Sequence, residues 1–503
     1  MARGRGAGVR RRRDERRGAG RAVHRAARPG RPVTAGLLGD VALAQRALAA
    51  GEVTSRDLVE AALTAAEAVG DLAAFASLHP ASARRAAREL DDQRAAGAPL
   101  GPLAGIPVVL KDNVAESGVP NRAASLLLPD EPAAVDATVT ARLRHAGAVV
   151  IGRTNMHELA WGGTTDNPHL GTCRNPFDPG RIPAGSSGGT AAAVAAGVVP
   201  VGIGTDTGGS IRLPASVTNL TGLRPSLGRV PTTGVIPLAW TLDTVGPIGR
   251  SAAECRLVLD ATAGPDGSDD GCVSRPDTLR HLLHRADPWA GLRVGVVDGF
   301  TLDGVQPDVA AAVARLLDDA AGWGARPVDV ALPRLDELVD ALVVLNAAEA
   351  SAVHAAALRA HPERLGTDVR VLLEAGARFT AVEYLQAQRL RTLARDALAR
   401  TWEQVDVLLV PTLPFTAPRL GERDIELAGR TQDVLVANMR YTALASLTGA
   451  PAVSFPCGLD RLGLPIGAQL VGPAWSDRAL LHLVADVQHR TGHHRARPAR
   501  RAA

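Results

Sequence analysis

From Thr54-Ser55-Arg56-Asp57 onward, the apolar residues Leu58, Val59, Ala62, Leu63 and Ala66 recur three or four positions apart, the spacing that stacks side chains on one stripe of a helix. Thr54 and Asp57 supply a capped start. A second helical pattern runs from Ala81 to Ala96 and closes at Gly97. The apolar run Pro107 to Leu110 reads as a short buried strand with Lys111 at its end. Beyond it come a helical pattern at Ala137 to His145, an apolar run at Ala148 to Gly152 and a strand at Val198 to Ile203. Further strands are predicted at Leu292 to Val297, Val328 to Ala331, Asp406 to Val410, Ala452 to Phe455 and Ile466 to Val471, with long helical patterns between them. This alternation predicts an α/β fold, a single large α/β/α domain whose wide mixed central sheet is covered by helices. Gly264 to Asp287 is turn-rich and polar, a surface excursion rather than a linker, and no internal repeat interrupts the pattern.

Composition bounds the partners. With 46% hydrophobic and 21% charged residues among 503, the chain can build a large core. Only 3% of residues are aromatic, too few for stacking platforms that hold single-stranded nucleic acid. Cys173, Cys255, Cys272 and Cys457 contain no C-x-x-C pair, so buried reduced thiols are expected rather than zinc or a disulfide framework. The longest apolar run, Ala191 to Gly204, is broken by Pro200 and is too short to span a bilayer, so no membrane contact is expected.

Charge is distributed unevenly. The first 33 residues hold twelve arginines against Asp14 and Glu15, an excess that could attract an acidic surface, yet the stretch lacks the apolar region of a secretion signal. It is read as a disordered Arg-rich extension over residues 1–32, followed by the folded domain at 33–490 and a basic disordered tail at 491–503. The expected location is the cytoplasm.

Of the 56 basic residues, Lys111 is the only lysine. Arginine and lysine serve alike as solvated charges, but only an ammonium sheds its proton near neutral pH when burial lowers its pKa. Lys111 is therefore a candidate base. Two Gly/Ser clusters follow it: Ala184-Gly185-Ser186-Ser187-Gly188-Gly189 and Thr205-Asp206-Thr207-Gly208-Gly209-Ser210-Ile211-Arg212. A nucleophilic serine needs a base within reach and backbone N–H groups aimed at a developing oxyanion, and glycines let the backbone come close. The first cluster also satisfies G-x-S-x-G, with Ser187 as nucleophile, but the three prolines between Asn175 and Pro183 exclude the strand that such an elbow requires. A P-loop fails because the lysine follows Leu110 rather than a glycine. His157, His169 and the pair His493-His494 form no metal constellation, and no cofactor is expected.

These clusters carry a resemblance. Gly105 to Asn113, Thr154-Asn155-Met156-His157-Glu158, Asn175 through Gly189, Gly202 to Arg212, Leu409-Val410-Pro411, and Gly449 to Gly472 together resemble the amidase signature family, whose members cleave or transfer amides with a Ser-Ser-Lys triad. The resemblance spans roughly Val33 to Gln488. It implies Ser210 as nucleophile, Ser186 as bridging serine in a cis peptide and Lys111 as base. It further implies the backbone N–H groups of Thr207, Gly208, Gly209 and Ser210 as the oxyanion hole, supported by Ser187, Thr205, Asp206 and Arg212. Asp206 and Arg212 fit equally a plain structural ion pair. The reaction implied is hydrolysis of a small-molecule amide by a stand-alone amidase. The rival within the family is the glutaminase subunit of a tRNA-dependent amidotransferase, which typically carries a basic pair where this chain reads Val369-Arg370-Val371-Leu372-Leu373-Glu374-Ala375-Gly376. Nucleic acid is not an expected partner of the core, and a homodimer is left open. Substrate choice is assigned to Trp161 and to the stretch between Ser274 and Arg440.

Overall fold

The computed structural model describes residues 36–499; the proposed extension at 1–32 lies outside them. Thirteen strands occur among the described residues: β1 Phe75–Leu78, β2 Pro107–Lys111, β3 Val149–Thr154, β4 Val201–Asp206, β5 Thr221–Arg224, β6 Thr244–Gly249, β7 Arg293–Val297, β8 Arg326–Val330, β9 Val407–Pro411, β10 Asp424–Leu427, β11 Arg430–Asp433, β12 Ala452–Leu459 and β13 Pro465–Val471. Eleven of them form one mixed sheet in the order β1-β3-β2-β4-β6-β5-β12-β13-β9-β7-β8, and β10 and β11 form a separate hairpin.

The centre of the sheet follows from its sequence. Strands β2, β3 and β4 are parallel neighbours buried along their whole length, and strands covered on both faces read as continuous apolar runs. The helix Thr138–His145 leads from β2 to β3, and the helix Gly188–Ala195 precedes β4. Because the three strands run the same way, their C-terminal ends share one edge. That edge carries Lys111, Thr154 and Asp206. With β3 on one side of β2 and β4 on the other, the chain leaves a crevice at the carboxyl ends of the strands, where open α/β sheets bind ligands.

The helix predicted at Thr54 is the helix Ser55–Ala68, with Thr54 and Asp57 bonded reciprocally in a capping box. The pattern at Ala81 to Ala96 is the helix Pro80–Ala95. The fourth strand is displaced from Val198–Ile203 to Val201–Asp206, since Gly197 turns at φ +82° and the strand continues through three polar or small residues into the site. Strands β1, β5 and β6 and the hairpin escape the sequence pattern. Strand β6 contains Pro247, which argues against an interior strand; β5 meets β6 only at Ile248 and Gly249, so Pro247 lies outside that ladder.

The basic tail expected to be disordered from residue 491 is ordered through 499. Thr491 closes the helix Asp477–Thr491, Gly492 turns at φ +71°, and His493–Arg495 form a 3-10 turn. The buried Asn219 amide pins this turn by donating to the carbonyls of His493 at 3.0 Å and Ala496 at 3.2 Å. All four cysteines are free and buried. The helix Leu335–Ala360 has the length and apolar composition to cross a bilayer, with half of its most apolar window buried; it packs against the helices Thr367–Gly376 and Ala381–Gln404.

Candidate active site

At the crevice, Lys111 is fully buried. Its Nζ lies 2.7 Å from Ser186 Oγ and 2.8 Å from Thr205 Oγ1. Burial pushes the Lys111 amine down to about 7, against the opposing pull of Asp243 and Asp206. Thr205 Oγ1 also accepts from Asn113 Nδ2 at 3.3 Å, so both residues of β2 and its following turn converge on the end of β4.

Ser186 follows a cis peptide bond from Gly185, as the resemblance implies. Its carbonyl accepts from the His157 N–H at 3.2 Å. The next N–H, that of Ser187, donates to the Ser210 carbonyl at 3.3 Å, which joins the two Gly/Ser clusters. Ser187 Oγ donates to the Thr205 carbonyl at 3.2 Å, and the segment leading directly into Ser187 is not a strand. Gly189 admits no side chain, because a Cβ there would stand 2.2 Å from the Asn155 carbonyl oxygen.

The turn Thr207 to Ser210 is built differently from its flanks. Gly209 has φ +139°, and a Cβ on it would meet Leu213 and Thr442 at 2.9 Å. The Gly208 carbonyl accepts from Thr442 Oγ1 at 2.5 Å. Among the described residues, none of the N–H groups of Thr207, Gly208, Gly209 and Ser210 donates a hydrogen bond. Backbone donors in so enclosed a place are ordinarily paired, and these four stand in succession without a partner among the described residues.

The ion pair is buried and more elaborate than the sequence suggests. Arg212 donates to both oxygens of Asp206 at 3.0 Å, and Arg224 Nη1 adds a third contact at 3.0 Å. Burial alone would raise the Asp206 carboxyl, but Arg212 and Arg224 hold it well below the usual carboxylate range. Arg212 continues to the Thr442 carbonyl, Ser446 Oγ and Gln469 Oε1. Asp206 and Arg212 thus act as a structural ion pair that also braces the ends of the turn.

Sequence reasoning missed Asp243 and Arg224. Asp243 stands just before β6, where its carboxylate accepts Thr207 Oγ1 at 2.5 Å and the N–H groups of Leu238 and Ala239 at 2.9 and 3.1 Å. Burial pushes it up to about 6, against those three hydrogen bonds. No periodicity marks it, and with no strand predicted at β5 nothing in the sequence singles out Arg224 either. A cavity of about 180 Å³ adjoins the site, with Asn113, Thr205, Thr207 and Asp243 on its polar side and Ala160 and Leu238 among its apolar walls.

Two histidines tie the surroundings together. His157 Nε2 meets Asp368 at 3.0 Å, and His169 Nε2 meets Glu158 at 2.8 Å. Glu158 also accepts the Gly366 N–H at 2.8 Å. The segment at 366–368 is thereby anchored to the stretch that follows β3, where the His157 N–H holds the Ser186 carbonyl. The later helices do reach the site: a Cβ on Gly208 would face Met439, Leu342 and Asn346 at 3.5 to 3.7 Å. Trp161 lies in an apolar cluster with Leu238, Val369 and Leu373.

Fold and site together define an enzyme class, one that cleaves carbon–nitrogen amide bonds. The family model described as Amidase matches residues 57–481, and the chain belongs to the amidase signature family. It is 38% identical over 477 residues to the A component of the glutamyl-tRNA(Gln) amidotransferase of Synechococcus sp. (strain CC9311), covering 88% of this chain and 96% of the relative. Among solved structures, it matches a chain of a vestigial protein complex connected with the evolutionary origins of an s-triazine catabolic enzyme. That match has a TM-score of 0.84 at 35% identity, covering 90% of this chain and 98% of the other. A bacterial aryl acylamidase of the amidase signature family matches with a TM-score of 0.84 at 26% identity, covering 92% and 99%.

Proposed function

We propose that this protein hydrolyses a carboxamide through an acyl-enzyme on Ser210. The observation that carries the reading is the 2.7 Å contact between Ser186 and a fully buried Lys111. An amine brought down to about 7 is neutral in a useful fraction near neutral pH and can accept a proton. As Ser210 Oγ attacks the carbonyl carbon, its proton passes to Ser186 Oγ, whose own proton passes to Lys111 Nζ. The tetrahedral oxyanion is received by the free N–H groups of Thr207, Gly208, Gly209 and Ser210, a term worth about 3 to 4 kcal/mol per donor in comparable sites. The C–N bond breaks as Lys111 returns its proton to the leaving nitrogen. Water then attacks the ester, and the relay runs again to release the carboxylic acid and free Ser210.

A second reading concerns the fate of the nitrogen. The curated relatives are named as the A component of an amidotransferase, which supports release of ammonia from glutamine to a partner chain and gives a homodimer no support. Their identity favours this reading over a stand-alone hydrolase. The observation on the other side is local. The helix Thr367–Gly376 offers one arginine, Arg370, which lies 3.8 Å from Glu374, and Leu342, Asn346 and Met439 beside Gly208 are neutral. A free glutamine carboxylate would need a cation. The test is ammonia release from a panel of carboxamides and glutamine by the purified chain, with Ser210→Ala alongside. Simple carboxamides hydrolysed by the chain alone support the first reading; glutamine consumed only with a partner added supports the second. Full activity in Ser210→Ala overturns both.

A further inference from the structure

Two buried carboxylates, Asp206 and Asp243, pull electrostatically on Lys111, and they are not equivalent. Asp206 is committed to two guanidiniums, Arg212 and Arg224. Asp243 forms no ion pair among the described residues; its partners are a threonine hydroxyl and two backbone N–H groups. Its position is set by the sheet. Antiparallel pairing of β4 with β6 places Thr205 opposite Val245 and Asp206 opposite Thr244, so Asp243 falls level with Thr207 at the crevice. There it lines the same cavity as Thr205 and Asn113, the hydroxyl that Lys111 touches and the amide that shares it.

We infer that Asp243 is the counter-charge of Lys111, a positioning residue that stabilises the ammonium formed when Lys111 takes up the relayed proton and that holds Thr207 in the oxyanion-binding turn. The inference rests on the reading of Lys111 as the base. The charges around the site support it. With Lys111 neutral, the two anions Asp206 and Asp243 balance the two cations Arg212 and Arg224. Without Asp243 the resting site already carries an excess positive charge, and a proton arriving on Lys111 adds a second in a place with little water to screen it. The other charged groups acting on or with Asp243 are Arg224, whose Nη1 is also bound to Asp206, and Glu349 from the helix Leu335–Ala360; Glu349 accepts the Thr241 N–H and hydroxyl and the Tyr384 hydroxyl. Arg391, which donates to Thr241, lies beyond it. Asp206 and Asp243 are the two anions that favour the Lys111 ammonium, with Asp243 the stronger. Asp243 keeps its charge above about pH 6, below the range where Lys111 must act.

The composition of the chain supplies the probe. Because Lys111 is the only lysine, full-length protein carrying carbon-13 at the lysine ε position gives one signal that reports this amine directly. The wild-type midpoint is expected near 7. In Asp243→Asn the midpoint should fall by about one pH unit or more, with a lower kcat because the base is weaker. Asp243→Ser serves the same purpose if the asparagine variant does not fold. An unchanged midpoint in a folded Asp243 variant overturns the inference. A wild-type midpoint near the ordinary lysine value overturns the base reading instead. A displaced midpoint in a chain that still turns over after loss of the Lys111 amine keeps the charge pairing and removes the catalytic role.

Discussion

Lys111 Nζ and Ser186 Oγ stand 2.7 Å apart across 75 positions of sequence. The parallel pairing of β2 with β4 makes this possible, because parallel strands deliver their C-terminal residues to one edge and the Gly/Ser loop ahead of the helix Gly188–Ala195 folds back over that edge. The contact is enclosed, so the amine is held by two hydroxyls and by distant charges rather than by solvent.

Lys111→Met keeps the length and apolar stem of the side chain while removing the amine. Turnover should fall by about 10²- to 10⁴-fold, the usual contribution of a positioned base, while the thermal midpoint stays at or above that of the wild type. Lys111→Arg should be inactive as well, but less stable, because it buries a permanent charge where the native amine is near neutrality. Steady-state kinetics beside calorimetry check both.

The pH dependence has a defined sign. Lys111 is lowered to about 7 by burial, and the neutral amine is the active form. The value of kcat/KM should therefore rise about tenfold per pH unit below 7 and level off above it. A profile that declines as pH rises through 7 would refute the neutral-base assignment.

Ser186 and Ser210 should fail differently. Ser210→Ala leaves no oxygen to acylate, so intact-mass measurement during turnover should show no acyl adduct. Ser186→Ala retains the nucleophile but breaks the relay to Lys111, and both acylation and deacylation should slow by about 10²-fold or more. An adduct that persists in Ser210→Ala would place the nucleophile elsewhere.

Arg212→Leu strips one of two guanidiniums from a fully buried carboxylate. Leaving Asp206 under-compensated should cost about 3 to 5 kcal/mol, as for other broken buried pairs. Chemical denaturation measures this directly, and a loss of less than about 1 kcal/mol would show the pair to be dispensable.

Much of this molecule is legible in one dimension. The helix at Thr54, the strands at Pro107, Leu292, Asp406, Ala452 and Ile466, and the order of the Gly/Ser clusters follow from local rules of periodicity and capping, which depend only on neighbours in the chain. The single lysine and the two hydroxyl-rich clusters point to the residues of the site before any contact is known. The basic tail misleads because charge suggests solvation, whereas Asn219, far away in sequence, holds its backbone. Strand β6 escapes because Pro247 obeys a neighbour in the sheet rather than a local preference. Arg224 and Asp243 are invisible for the same reason. A charge becomes a partner or a counter-charge only when a strand from elsewhere sets it beside an opposite charge and excludes water. Residue types and spacing thus determined which chemistry this chain can perform, and the pairing of distant strands decided which charges surround it.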